Sequence, residues 1–238
     1  MAKLSDLIPV LSRLFDARDY PEKTVAVFAR HLRLARLLST GGRGRGGADM
    51  TPADCTNMIL SMLSGLEAQD AAESVQVYRE VKPAYLEWQR DEDAPRIPWL
   101  DELQGAMLAT VIERLIASAM TDEFAELGRT AMKATTAGNW YVFVKINSPK
   151  PGGELLIGGG VPVFGGELRQ YNKIIATMSY CEPPRSGPPG SFPDMADTEA
   201  FEKWRAEQRG WDSDRVRTET IGRGVIQTLG ALLAGKSK

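Results

Sequence analysis

The hydrophobic residues of the N-terminal part of the chain recur every three or four positions, the spacing that places side chains on one face of an α-helix. This pattern predicts a first helix over residues 4–15 and, after a break at Pro21, a second helix over residues 22–38. Thr51 and Pro52 suit the N-cap and first turn of a helix, and they predict a third helix that ends near Leu63.

Beyond residue 66 the pattern becomes mixed. Apolar spacing predicts helices over residues 68–89, with Pro83 as a point of interruption, and over residues 100–119, 122–133, 199–209 and 225–233. Runs of β-branched and aromatic residues predict strands over residues 140–146, 154–157, 173–180 and 215–221. The charged, proline-bearing segment 90–98 is a candidate linker. We therefore expect a mostly helical α+β protein, with a winged-helix-like domain in residues 1–66 and, in residues 67–238, helices and a small antiparallel sheet.

The composition is that of an ordinary globular protein, with 43% hydrophobic and 25% charged residues in a chain of 238. No apolar run is long enough to span a membrane, and the N-terminus lacks the layout of a secretory signal. The two cysteines, Cys55 and Cys181, do not make a disulfide framework. We therefore expect a cytoplasmic protein that does not contact a membrane, with Cys55 as a small core residue.

The sequence offers little for catalysis or for a cofactor. His31 is the single histidine, and an arginine-rich helix makes it a solvated or phosphate-facing side chain rather than a catalytic base. Zinc sites need several cysteine or histidine ligands at set spacings, which the chain lacks. We expect no enzymatic activity, no cofactor and no metal site.

The distribution of charge singles out one segment. Residues 23–45 contain six basic residues and no acidic one, so the net charge of −2 leaves −8 for the rest of the chain. A local excess of positive charge indicates a docking surface for an anion. The candidate contact residues are Lys23, Arg30, Arg33, Arg36, Arg43 and Arg45.

The order of elements in residues 4–65 resembles that of a winged helix-turn-helix DNA-binding protein. Two helices are followed by the glycine-arginine loop, residues 41–47, and by the Thr-Pro-Ala-Asp helix start at residues 51–54. With Thr24-Val25 near the start of the second helix and Leu37-Leu38 at its end, the layout is similar to the MerR-type subgroup of winged-helix regulators. The second helix is longer than in that subgroup, and no aromatic residue follows the loop arginines.

This resemblance implies a role for each basic residue. The second helix would enter the major groove of DNA, and the loop would form the wing along the backbone or in the adjacent minor groove. Arg30 and Arg33 would then face the groove, with Lys23 nearer the backbone. Arg43 and Arg45 would make the wing contacts.

The segment Arg43-Gly44-Arg45 also resembles the core of an AT-hook, with Gly46 in place of the usual proline. An arginine on a thin glycine loop can enter a narrow A·T-rich minor groove, where the negative potential is enhanced. Other interpretations of the loop stay open. It can be a solvated connection, a phosphate site without the Gly-Lys-Ser/Thr of a P-loop, or an RNA contact of the RGG kind.

We expect the protein to bind double-stranded DNA sequence-specifically, as a bacterial or phage transcription regulator. The C-terminal part is expected to form a homodimer or to contact a protein partner. Two other functions stay open. One is a viral DNA-packaging or replication accessory protein that binds with little sequence preference. The other is a protein-interaction module that blocks a host machine through the acidic C-terminal part.

Overall fold

The structure is a computed structural model that describes residues 2–16, 18–41, 47–84, 89–136, 138–148, 151–160, 173–181 and 217–236. Within these ranges the chain forms eight α-helices and one five-stranded antiparallel sheet, which confirms the predicted α+β class. Arg43, Arg45 and the helix predicted over residues 199–209 lie outside the described residues. No helix in the described ranges combines the length and the apolar character needed to cross a membrane.

The three N-terminal helices form where the apolar spacing predicts them. They are α1, Leu4–Leu14, α2, Glu22–Leu34, and α3, Pro52–Leu63, and α2 packs against both of the others. The prediction that α2 continues to residue 38 is wrong. The chain turns at Arg36, where φ is 60°, a left-handed conformation that cannot continue a right-handed helix.

Two predicted helices are shorter than the apolar pattern suggests. In place of a helix over residues 68–89, a 3₁₀ turn at Ala68–Asp70 leads into α4, Ala71–Arg79, and then into the short strand β1, Lys82–Pro83. The helix predicted over residues 100–119 is divided into α5, Pro98–Asp101, and α6, Leu108–Met120. Gly105 lies between α5 and α6 with a φ of 74°, which interrupts the helical path.

The remaining elements follow the predictions closely. They are α7, Glu123–Lys133, β2, Trp140–Ser148, β3, Gly152–Gly159, β4, Lys173–Cys181, β5, Arg217–Gly222, and α8, Arg223–Leu233. The strand order in the sheet is β1-β4-β3-β2-β5, and every neighbouring pair is antiparallel. Val144 of β2 lies opposite Leu155 of β3 and Ile221 of β5, and all three are fully buried.

The helices cover one face of the sheet. Alternate residues of β2, namely Val142, Val144 and Ile146, have no exposed surface, and α3, α7 and α8 all contact this strand. The buried apolar residues form one hydrophobic cluster that includes side chains from both sides of residue 66. The division into residues 1–66 and 67–238 stays a prediction.

The segment predicted as a linker is attached to the sheet. The backbone groups of Gln89 and Thr177 exchange two hydrogen bonds, of 3.1 and 2.8 Å, and the N–H of Ile174 donates to a carboxylate oxygen of Asp91 at 2.8 Å. Arg90 forms an ion pair of 2.5 Å with Asp101. These contacts extend the edge of the sheet at β4, so the start of segment 90–98 does not act as a free connection.

Candidate nucleic-acid interface

Helix α2 has one buried side and one exposed side. Val25, Phe28, Ala29 and Leu32 are buried against the core. The opposite side, called here the outer face of α2, consists of the exposed residues Lys23, Ala26, Val27, Arg30, Arg33 and Leu34. The predicted contact residues of the second helix therefore point away from the core, where a ligand can reach them.

The basic side chains of residues 23–36 are not paired with carboxylates in the part of the chain that the structure describes. Within the described residues, the side chains of Lys23, Arg30, Arg33 and Arg36 form no ion pair and no hydrogen bond. Several cations elsewhere are bound to carboxylates: the pairs are Arg79 with Glu113, Arg90 with Asp101, Arg114 with Glu123, Lys145 with Glu154 and Lys173 with Asp93. The cations of α2 are thus free to bind an external anion.

Helix α2 ends in a C-terminal capping motif whose left-handed position, usually a glycine, is occupied by Arg36. The N–H of Arg36 donates to the carbonyl of Arg33 at 3.0 Å, and the N–H of Leu37 donates to the carbonyl of Leu32 at 2.9 Å. This pair of bonds is a Schellman motif, and its left-handed residue is Arg36, at φ 60°. The motif holds the exposed Arg36 at the point where the chain leaves the helix for the glycine-arginine loop.

One buried carboxylate binds the chain segments on both sides of the glycine-arginine loop. Asp54, which is 3% exposed, accepts a hydrogen bond from the N–H of Ser39 at 2.6 Å on Oδ1. Its Oδ2 accepts bonds from the N–H and the hydroxyl of Thr51, at 2.8 and 2.7 Å. Asp54 lies in the first turn of α3, where the helix dipole also stabilises a negative charge. One side chain thereby binds the chain at Ser39, before the loop, and at Thr51, after it.

A second side chain of α3 binds the chain at Leu37, before the loop. The amide nitrogen of Asn57 donates to the carbonyl of Leu37 at 2.7 Å, and its oxygen accepts a bond of 2.7 Å from Arg79 of α4. Arg79 also binds Glu113 of α6 at 2.7 Å. This network connects the end of α2 to three other helices, α3, α4 and α6.

The N-terminal residues of the chain bind the segment that follows the loop, residues 47–50. Lys3 donates to the carbonyl of Gly47 at 2.6 Å and forms an ion pair of 2.8 Å with Asp49, while the N–H of Met50 donates to the carbonyl of Ala2 at 2.9 Å. The bond from Lys3 holds the pKa of the exposed Asp49 carboxyl below its ordinary value. Residue 47 is therefore fixed relative to α1, just as Ser39 is fixed relative to α3.

The loop's own arginines, Arg43 and Arg45, lie outside the described residues. No β-strand is present in the adjoining described segments, residues 35–41 and 47–51. The winged-helix and AT-hook resemblances stay predictions. The structure describes what precedes and follows the loop in the chain: an exposed basic helix, α2, before it and a capped helix start, that of α3, after it.

A cleft of about 600 Å³ lies beside the N-terminal part of α2. Its lining residues are Asp19, Tyr20, Thr24, Phe28, Glu67 and Ala68. The exposed carboxylates of Asp19 and Glu67 repel phosphate, so this cleft marks where a surface for an anionic ligand ends.

The candidate chemistry outside this segment is sparse. His31 is half-buried on α2, and Cys55 is fully buried in α3 as predicted. Burial, with a smaller contribution from Asp54, raises the pKa of the Cys55 thiol from 9.0 to about 12, so the thiol stays protonated near neutral pH. In the ranges that the structure describes, no three His, Cys, Asp or Glu side chains are placed to hold a metal ion.

Sequence reasoning missed two kinds of residue in this interface. Asp54 was recognised for the helix start alone, and its bond to Ser39 had no local signal because the two residues are 15 positions apart. Val27 and Leu34 were not singled out either, although both are exposed, at 41% and 75%. Their position opposite the buried side of α2 was readable from the helical period.

Comparison of the chain with protein-family models, with curated proteins and with solved structures found no match. The support for the candidate interface consists of the charges, the exposure and the hydrogen bonds described above.

Proposed function

We propose that this protein binds double-stranded DNA through the outer face of α2, with the glycine-arginine loop beside it. The observation that carries the proposal is the set of exposed and unpaired basic side chains on a segment without an acidic residue. They are Lys23, Arg30, Arg33 and Arg36. Exposed lysine and arginine residues bind phosphate oxygens, and arginine also fits the acceptor pair of guanine.

A duplex fits this surface better than a single strand does. The major groove of B-form DNA is about 12 Å wide and admits an α-helix. Sites for single strands depend on aromatic side chains that stack on bases, and the outer face of α2 carries no aromatic residue. Arg30 and Arg33 then face the bases, Lys23 faces the backbone, and Arg43 and Arg45 of the loop reach the adjacent backbone or minor groove.

The protein acts, in this proposal, as a bacterial or phage transcription regulator in the cytoplasm. A regulator with one recognition helix per chain commonly binds as a symmetric dimer to two half-sites one helical turn apart. The part of the chain after residue 66 is assigned to this dimer contact. Light scattering of the free protein and of its DNA complex measures the oligomeric state directly.

The experiment is selection of binding sites from a random duplex library, followed by fluorescence anisotropy at several salt concentrations. Lys23→Ala removes a phosphate contact and should lower the slope of log affinity against log salt by about 0.9 for all sequences. Arg30→Ala removes a base contact and should weaken binding to the selected site by about tenfold or more, with a smaller effect on unrelated DNA.

The matched control is the double variant Arg96→Ala/Arg129→Ala, which removes the same kind of charge from exposed positions outside residues 23–45. It should bind the selected site as the wild type does, apart from a small general effect of net charge. Absence of DNA binding at low salt would overturn the proposal. Binding that responds equally to the control and to the α2 variants would overturn the assignment of the surface.

A further inference from the structure

Two large apolar side chains are exposed in the middle of the basic surface. Val27 is 41% exposed and Leu34 is 75% exposed, and within the described residues the only other exposed large hydrophobic side chains are Leu66 and Met107. Leu34 is the most exposed of the four. The exposed Leu34 side chain is not committed to the core of the protein, so it is available to the apolar part of a ligand that the neighbouring arginines bind.

The spacing of the two side chains is regular. Val27 and Leu34 are seven residues apart, which is close to two helical turns, so both lie on the same side of α2. Arg30 lies between them on that side, three residues after Val27 and four before Leu34. At 1.5 Å per residue the two apolar side chains are separated by about 10.5 Å along the helix, or roughly three base-pair steps of DNA.

The major groove of DNA presents apolar groups and hydrogen-bond acceptors that match Val27, Arg30 and Leu34. Each thymine presents an apolar C5-methyl group there, and each guanine presents two acceptors, N7 and O6, to an arginine. An acidic protein surface also offers anionic and apolar groups. A membrane surface requires a broad apolar helix face, and the broad apolar face of α2 is buried in the core. The outer face of α2 is narrow and acid-free, and half of its residues are basic, which favours the duplex.

We propose that Val27 and Leu34 are specificity-determining residues that contact thymine methyl groups on either side of a guanine bound by Arg30. This inference rests on the proposed function, because it needs α2 to lie in a major groove. It adds the sequence preference: a guanine flanked by thymines about three base pairs apart.

The test uses the full-length protein and its selected duplex, with thymines replaced one at a time by deoxyuridine. This replacement removes a methyl group and leaves every hydrogen-bonding group in place. At two positions about three base pairs apart the affinity should fall about fourfold, the factor for one buried methyl-sized group. In Leu34→Ala, deoxyuridine at one of these two positions should cause no further loss of affinity. In Val27→Ala, deoxyuridine at the other position should cause no further loss.

Leu66→Ala is the matched control, since Leu66 is an exposed leucine outside α2. It should retain the full sensitivity to deoxyuridine. Val27 and Leu34 are exposed and alanine favours a helix, so the variants should keep the circular dichroism of the wild type and should not unfold at a markedly lower temperature.

The outcomes separate the two proposals. If no duplex binds, the proposed function fails and this inference fails with it. If duplex binding is strong but deoxyuridine has no effect at any position, the inference is overturned while the proposed function stands. An equal loss of affinity for every duplex in Leu34→Ala also overturns it. Binding of anionic lipid vesicles or of an acidic protein through Val27 and Leu34, without duplex binding, overturns both.

Discussion

The backbone N–H of Ser39 donates a hydrogen bond of 2.6 Å to Oδ1 of Asp54, which is 15 positions further along the chain. The glycine-arginine loop lies between these two residues. Because the same carboxylate also binds the N–H and hydroxyl of Thr51, both ends of the loop are held at the first turn of α3. A basic loop with fixed ends loses less conformational entropy when it binds a ligand than a free one does.

Replacement of Asp54 by alanine should destabilise the protein. It removes the partner of two backbone N–H groups and the capping box of α3, so we expect the free energy of unfolding to fall by about 1–3 kcal/mol. Urea denaturation followed by circular dichroism measures this change. Hydrogen exchange of the Ser39 amide should become faster in the variant. Thr51→Ser, which keeps the hydroxyl, should change stability much less, and unchanged protection of Ser39 in Asp54→Ala would contradict the assigned bond.

Arg36→Gly should stabilise the protein, although it removes an exposed side chain. Arg36 adopts a φ of 60°, and a left-handed conformation costs a residue with a Cβ about 1 kcal/mol relative to glycine. The same change at Arg30, in the interior of α2, should destabilise by about 1 kcal/mol. Both variants lose one positive charge, so opposite signs in thermal unfolding isolate the backbone effect. A lower melting temperature for Arg36→Gly would show that its side chain stabilises the fold.

Gly230→Ala should weaken the contact between α6 and α8. A Cβ at this position would lie 2.4 Å from the Cβ of Ala119 and 2.8 Å from its carbonyl oxygen. Over-packing of this kind typically costs about 1–3 kcal/mol. Gly224 lies in the same helix with no atom within 4 Å of the added Cβ, so Gly224→Ala should be neutral or stabilising by up to about 1 kcal/mol. Chemical denaturation of the two variants compares them directly, and equal stability would contradict the close approach of the helices.

The buried Cys55 should make stability depend on alkaline pH. Burial raises the pKa of its thiol to about 12 in the folded protein, against an ordinary value of 9.0. The folded state therefore holds the proton more tightly, and this contribution to stability is complete below pH 9 and declines as the pH rises from 9 towards 12.

The measurement for Cys55 is urea denaturation from pH 8 to pH 10.5 of Cys181→Ser and of Cys55→Ala/Cys181→Ser. The difference in unfolding free energy between the two proteins isolates the thiol from the tyrosines and lysines that also titrate. As the pH rises, the protein that contains Cys55 should lose unfolding free energy relative to the variant without it. A difference that stays constant over this range would mean that the folded thiol titrates at its ordinary pKa.

Local patterns were enough for most of the helices and strands. The start of α3 was readable because Thr51, Pro52 and Asp54 act on each other within one turn of helix. β2 was readable because it is a run of β-branched and aromatic residues, which are enriched in strands. The two sides of α2 followed from the helical period alone, which placed Lys23 and Arg30 opposite the apolar side.

What the tertiary structure decided depends on residues that are far apart in the sequence. The end of α2 at Arg36 had no signal, because arginine has no preference for a left-handed conformation. The bond between Ser39 and Asp54 exists because α2 and α3 pack together, and the attachment of Gln89 to Thr177 exists because β4 lies at that edge of the sheet. The sequence by itself determined which segments are helical, extended or charged. Packing decided where those segments end and what holds the two sides of the basic loop, because both depend on long-range contacts.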